Sequence, residues 1–226
     1  CSDVAVSNDL CALSEDGAVL CARGGIARDA AREPREGEGE EEPRPGLEEV
    51  PLPGPAGAIR LKAPSGGCAL LESKQVACWA FAPSGDVDVK VVALDAPAKA
   101  FDAGASFSCA VLESGQLRCF GEERRFHAMA RAVAPGVFAV DVGGAVHDVA
   151  IGERHACVLL DSGAVRCFGD NEQGQLGYGH TRAIGDDEPL TTAGDVGVFG
   201  VHPRTEWVAP PMAPSASVDA PAAPRP

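Results

Sequence analysis

Aromatic residues are scarce in this chain: tryptophan, tyrosine and phenylalanine together make up 5% of its 226 residues, with a single tyrosine. Basic residues are also few, 19 Lys and Arg against 33 Asp and Glu, which leaves a net charge of −14. A nucleic-acid groove needs clustered Lys and Arg to neutralise phosphates, so that class of partner is excluded. No apolar run approaches the length that crosses a bilayer as a helix. Cys-x-x-Cys redox pairs, short Cys knuckles of the zinc type and a phosphate-cradling Gly-x-x-x-x-Gly-Lys are all missing.

What is plentiful is turn-forming chemistry. The 27 glycines and 18 prolines among 45% apolar residues suit many short strands joined by turns better than long helices. At this length the chain can bury a real core.

Nine cysteines organise that core, and eight of them recur in one pattern. CALSEDGAVLC runs from Cys11 to Cys21, CALLESKQVAC from Cys68 to Cys78, CAVLESGQLRC from Cys109 to Cys119 and CVLLDSGAVRC from Cys157 to Cys167. Apolar alternation on both sides of a polar, Gly-containing tip reads as a β-hairpin. With a three-residue loop at Asp161, Ser162 and Gly163, Leu159 opposes Val165 and Cys157 opposes Cys167. Gly17, Gly115 and Gly163 then fall at the left-handed loop position; Lys74 holds it in the second unit, a strained choice for a residue with a Cβ.

The paired cysteines fall on non-hydrogen-bonded positions, where Cα atoms approach to roughly 4.5 Å, at the short end of disulfide geometry. The spacing therefore predicts four disulfides, Cys11–Cys21, Cys68–Cys78, Cys109–Cys119 and Cys157–Cys167, with reduced buried cysteines or a metal set as the alternatives. Each bridge closes a loop of about 11 residues, worth roughly 2.5–3 kcal/mol on the chain-entropy model. Such bridges imply an oxidising compartment: extracellular, periplasmic, or the outer-membrane surface of a bacterium. The ninth cysteine, Cys1, begins the sequence in place of methionine, so the chain is expected to be a processed form or a fragment. Followed by Ser2 and Asp3, Cys1 reads either as a lipid-bearing first residue, the one expected membrane link, or as a half-cystine whose partner is missing.

Short alternating segments precede each hairpin, and segments such as 88–95 and 126–133 offer a further strand. Units of three or four strands, apolar on both faces, predict an all-β chain of about four β-propeller-like blades. The expected organisation is blade one over 1–31, an acidic insertion over 32–56, blade two over 57–97, blade three over 98–137, blade four over 138–200 and a Pro/Ala-rich tail over 201–226. The run from Arg32 to Glu49 holds eight glutamates and three arginines, the composition of a solvated, disordered loop; a cation- or partner-docking role is the alternative.

The stretch VRCFGDNEQGQLGYGH resembles the repeat signature of the regulator of chromosome condensation family, in the version carried by a bacterial, secreted, cysteine-containing branch. Phe168, Gly169, Asn171, Gly174, Gln175, Leu176, Gly177 and Gly179 carry the likeness. The third unit keeps only Phe120 and Gly121, the second only Trp79, and the first only Ala22, Arg23 and Gly24. The resemblance implies a propeller, usually of seven blades, so four hairpins imply a partial or degenerate ring: a fragment, a degenerate short copy, or a half-ring completed by self-association with another copy. It also implies binding activities: some members promote guanine-nucleotide exchange on chromatin, and a secreted one inhibits β-lactamases.

The sequence offers no catalytic, cofactor or metal set. His127, His147, His155, His180 and His202 are scattered, and Asp161 and Ser162 are hairpin-tip residues. Asp186, Asp187 and Glu188 lack the glycine-punctuated spacing of a calcium loop. Glu15, Glu72, Glu113 and Asp161 place an acid at every tip, which is ordinary turn chemistry, though a propeller hydrolase or lyase would draw its carboxylates from such positions. A remnant decayed below function is a third reading. The expectation is a non-enzymatic module that binds an unidentified protein partner.

Overall fold

A computed structural model describes residues 3–6, 9–22, 47–61, 66–82, 84, 86–121, 130–185 and 189–198. Its strands form four antiparallel sheets. The first holds β1 (Asp3–Val6), β2 (Leu10–Leu13), β3 (Val19–Ala22) and β4 (Glu48–Glu49). The second holds β5 (Ala56–Leu61), β6 (Gly67–Leu71), β7 (Val76–Phe81) and β8 (Val87–Val91). The third runs β9 (Ala98–Ala103), β10 (Phe107–Leu112), β11 (Leu117–Gly121), β13 (Val137–Val140) and then β12 (Ala130–Ala134), which is outermost. The fourth holds β14 (Val146–Ile151), β15 (His155–Leu160) and β16 (Val165–Gly169), extended by a single bridge from Gly169 to Ile184.

The hairpin register is the expected one. Cys157 opposes Cys167 and Leu159 opposes Val165, and the other three cysteine pairs oppose each other likewise. All four disulfides are formed, with Cα separations of 4.1, 3.9, 4.0 and 4.0 Å. Gly17, Gly115 and Gly163 take φ of 85°, 80° and 85° at the tips, and Lys74 takes 65° at the same position.

Two sheets depart from the expected boundaries. β4 lies inside the segment assigned to the acidic insertion: Leu20 pairs with Glu49 and Cys21 with Glu48, so the insertion interrupts blade one before its last strand instead of separating two blades. β13 runs past the expected end of blade three at residue 137, to Val140, because β11 recruits it through Leu117↔Val140 to Phe120↔Val137. The acidic run over 23–46, Cys1, His127, Asp186, Asp187, Glu188, His202 and the tail from residue 199 lie outside the described residues.

The sheets stack face to face. The disulfide face of the first, with Cys11, Leu13, Val19 and Cys21, packs on Ile59, Ala69, Ala77 and Trp79 of the second. Cys68 and Val76 of the second meet Ala98, Phe101, Ala110 and Phe120 of the third. Phe107, Cys109, Val111, Leu117 and Cys119 of the third meet Val149, Ala156, Val158 and Phe168 of the fourth. Each joint sets a bridge-bearing face against a neighbouring face that mixes alanines with a large aromatic, Trp79, Phe120 or Phe168, and such interdigitation of large and small side chains fills the space between two sheets.

Candidate functional site

The hairpin tips and the linkers between blades form one rim, built by a repeated backbone clamp. The carbonyls of Gly17, Lys74 and Gly115 accept hydrogen bonds from the N–H of Ala56, Ala98 and Val146, the first residue of the next blade, at 2.8–2.9 Å. The residue before each of these, Pro55, Pro97 or Ala145, accepts at 2.9 Å from the tip N–H of Glu72, Glu113 or Asp161. The tip acids therefore hold the rim through their backbones, and their carboxylates point to solvent. Glu113 lies 3.8 Å from the Lys74 ammonium of the preceding tip, and Asp161 lies 3.3 Å from His147 Nδ1. Such half-exposed pairs contribute little to stability.

Arginines at one repeat position tie the linkers down. Arg118 is 5% exposed and forms a two-pronged pair with Asp95, at 2.7 and 2.8 Å, with Gln116 Oε1 accepting at 2.9 Å. That guanidinium holds the Asp95 carboxyl below its usual range. Arg166 donates to Asp195 at 2.8 Å and to the Val142 carbonyl at 2.6 Å. Two equivalent depressions open beside these groups. One, of about 500 Å³, is lined by Ser114, Gln116, Arg131 and Asp141, and the other, of about 250 Å³, by Ser73, Gln75 and Pro97.

The signature residues are consumed by structure. Asn171 is fully buried; its Nδ2 donates to the His180 and Arg182 carbonyls at 2.8 and 2.7 Å, and its Oδ1 accepts from Leu176 N–H at 3.0 Å. Gly174, Gly177 and Gly179 take φ near 75–77°, which lets the chain turn tightly around that amide. Gln175 Oε1 accepts from Gln173 N–H at 2.8 Å. Leu176 and Phe168 are buried in the joint with blade three, where Phe168 stacks on Phe107 at 6.5 Å, and Gly169 pairs with Ile184. The His155 carbonyl accepts from Gly152 N–H at 2.8 Å, and its ring crowds Gly152, a structural placement: a Cβ at Gly152 would collide with the imidazole.

Three arrangements carry no recognisable sequence signal. Tyr178 reaches back to β16; Asp102 joins blades; Asp95 pairs with Arg118 across 23 positions. The only hint was the arginine shared by LRC and VRC before the second cysteine of units three and four, which marks Arg118 and Arg166. Among the described residues, no three His, Cys, Asp or Glu side chains gather as a metal-binding group.

A stack of antiparallel sheets of three to five strands, each joined to the next through a tip clamp, defines an arc of β-propeller blades. Residues 146–175, which span the fourth sheet and the start of its signature loop, match the model of the regulator of chromosome condensation (RCC1) repeat. Among solved structures it is similar to Prp20p of Saccharomyces cerevisiae, at 16% identity and a TM-score of 0.60 over 81% of this chain and 48% of that one. It is similar also to yeast RCC1 (Prp20) in its complex with Kap60, at 17% identity and a TM-score of 0.58 over 83% and 47%. Human WBSCR16 follows at 15% identity and a TM-score of 0.58 over 79% and 48%. The chain thus spans about half the length of these propellers. No curated protein matches it in sequence.

Proposed function

We propose that this protein is an exported interaction module, which binds a protein partner through the tip rim and performs no chemistry of its own. The rim carries the reading. Its backbone is fixed by clamps at every joint, its acids and amides are presented outward, and its depressions repeat between blades. A rigid scaffold presenting polar loops at one end is suited to recognition. Prp20p was solved together with its binding properties towards Gsp1p and histones, and in a complex with Kap60, so propellers of this type do engage proteins. The four disulfides favour the outside of a cell or a bacterial envelope compartment. A cytosolic exchange activity fits such a chain poorly. The two tip acids paired to Lys74 and His147 also give a hydrolase no converging carboxylates.

Affinity capture from envelope extract tests this reading. The oxidised chain should retain a reproducible partner, and the double rim variant Gln75→Ala with Gln116→Ala should lose it while keeping its fold. Turnover of a glycan or ester panel without any capture would overturn the proposal in favour of an enzyme.

A further inference from the structure

Blade two is an interior blade: blade one packs on one of its faces and blade three on the other. Its outermost strand, β8, therefore lies on the circumference of the arc. The disulfide fixes which backbone groups β8 turns outward. Cys68 and Cys78 are a non-hydrogen-bonded pair, so the N–H and C=O of Cys78 point to β8 and meet Lys90. Lys90 thus commits its backbone groups to β7, as does Val92, whose N–H donates to the Val76 carbonyl at 2.8 Å. The alternate residues Val87, Val89 and Val91 direct theirs away from the sheet, and among the described residues no hydrogen bond reaches them.

Two other blades cover the same edge. Phe138 opposes Cys119 as Lys90 opposes Cys78, so β8 is the counterpart of β13, and along β13 runs the fifth strand β12. In blade four, Tyr178 and Val196 serve the edge of β16. In blade two the edge is open: Val91 is 45% exposed, and the side chains of Asp88 and Lys90 are 61% and 79% exposed. An open edge is a template for another strand, and charged side chains along it restrict which strand can pair.

We propose that β8 pairs antiparallel with β8 of a second copy, about a two-fold axis between the two Val89 residues, to form one continuous sheet. The strand sequence VDVKV is its own complement in that register. Val89 faces Val89 of the second copy, Val87 faces Val91, and Asp88 faces Lys90. The valine pairs are hydrogen-bonded pairs of two N–H···O bonds each, and together they use every outward backbone group of the strand. The Asp88–Lys90 pairs are of the closer, non-hydrogen-bonded kind, where opposite charges attract. The neighbouring in-phase registers set Asp88 against Asp88 or Lys90 against Lys90, and like charges directly opposite are destabilising, so charge fixes the register. Val87 and Val89 pack on the joint with blade one, which holds the strand in place for pairing. The contact is isologous and closes at two copies. It concerns the outer edge and not the tip rim, so it does not depend on the rim's role.

Sedimentation equilibrium on the oxidised, full-length chain tests the pairing. The expected species is a dimer, twice the 23.1 kDa of one chain, that dissociates on dilution because a single strand edge is a small interface. As it forms, the amides of Val87, Val89 and Val91 should gain protection from hydrogen exchange, while β7 protects those of Asp88 and Lys90 at every concentration. Asp88→Lys sets a lysine against Lys90 of the second copy, and Lys90→Asp sets an aspartate against its Asp88. Each alone should raise the dissociation constant about tenfold or more. Both side chains are exposed, and circular dichroism with intact disulfides by non-reducing mass spectrometry verifies that the variants fold. Mixing the two variants should restore dimers, because every charged pair across the mixed joint is again opposite in sign. The chain carrying both substitutions should dimerise by itself as the parent does. A monomer at every concentration, a dimer indifferent to the single substitutions, or two variants that fail to combine would each overturn the pairing.

Discussion

The Tyr178 hydroxyl lies 3.1 Å from the backbone nitrogen of Cys167, whose N–H it accepts, and 3.2 Å from the carbonyl oxygen of the same residue, to which it can donate. Cys167 faces Cys157 across a non-hydrogen-bonded pair, so its backbone groups point away from β15 towards the outer edge of blade four. The same edge is served at Val165, whose carbonyl accepts from Val196 N–H at 2.8 Å, and at Gly169, which exchanges two bonds with Ile184. Blade four thus lacks a fourth strand but not the hydrogen bonds of one. A bare edge of this kind would be a template for aggregation, and a phenol with two short strand contacts caps it.

Tyr178→Phe removes the cap without altering the ring. The expected cost is about 1–2 kcal/mol in denaturant unfolding, with faster amide exchange at Cys167. Because burial raises the Tyr178 pKa above the ordinary tyrosine range, the unfolded chain ionises first as pH rises. The tyrosine's contribution is therefore complete below the unfolded value and is lost as pH climbs through the folded one. Tyr178 is the single tyrosine of the sequence, so ultraviolet titration reads it alone. A native midpoint at or below the unfolded one contradicts the assignment.

Asn171→Ala should be among the costlier substitutions in blade four. The fully buried amide serves three backbone groups at 2.7–3.0 Å, and alanine would strand them. A loss of about 2–3 kcal/mol is expected, measured by chemical denaturation. Since Leu176 and Ile184 follow the loop into the joint with blade three, the signature loop should also gain protease sensitivity.

The hairpins were legible because a three-residue loop with a left-handed residue fixes register by itself, and Cys157 against Cys167 follows by counting. The match of 146–175 to the repeat was legible because Asn171 and its glycines stand at fixed offsets. β4 was not. Glu48 and Glu49 have no strand pattern of their own and are ordered by the free edge of β3, a tertiary effect that overrides propensity. Tyr178, Asp95 and Asp102 were equally silent, because a single polar side chain gives no period, and their partners lie 11, 23 and 49 positions away.

Lys74→Gly is expected to stabilise the protein. Lysine holds a φ of 65°, where its Cβ crowds the backbone, and the three equivalent tips use glycine. Relief of roughly 1 kcal/mol should outweigh the loss of the Lys74–Glu113 contact, since both partners are about half exposed and 3.8 Å apart. Thermal or urea unfolding decides it: no gain in stability would mean that the ion pair matters more than the strained turn.

Asp102 supplies a side-chain link among three blades. It stands on β9; its Oδ2 accepts from the Ile151 N–H of β14 at 2.7 Å, its Oδ1 accepts from Ala103 N–H at 2.9 Å, and Arg60 of β5 approaches to 3.5 Å. One carboxylate therefore touches the first strands of blades two, three and four. Asp102→Ala should cost about 2–3 kcal/mol, because two N–H donors lose their acceptor along with the ionic contact. Asp102→Asn keeps one acceptor oxygen and turns an NH₂ towards the other donor, so an intermediate loss of about 1–2 kcal/mol is expected. Amide exchange at Ile151 should accelerate in both variants, while the Cys109–Cys119 hairpin keeps its protection. If both variants unfold within about 0.5 kcal/mol of the parent, the arc is held by its apolar joints alone and the carboxylate is incidental.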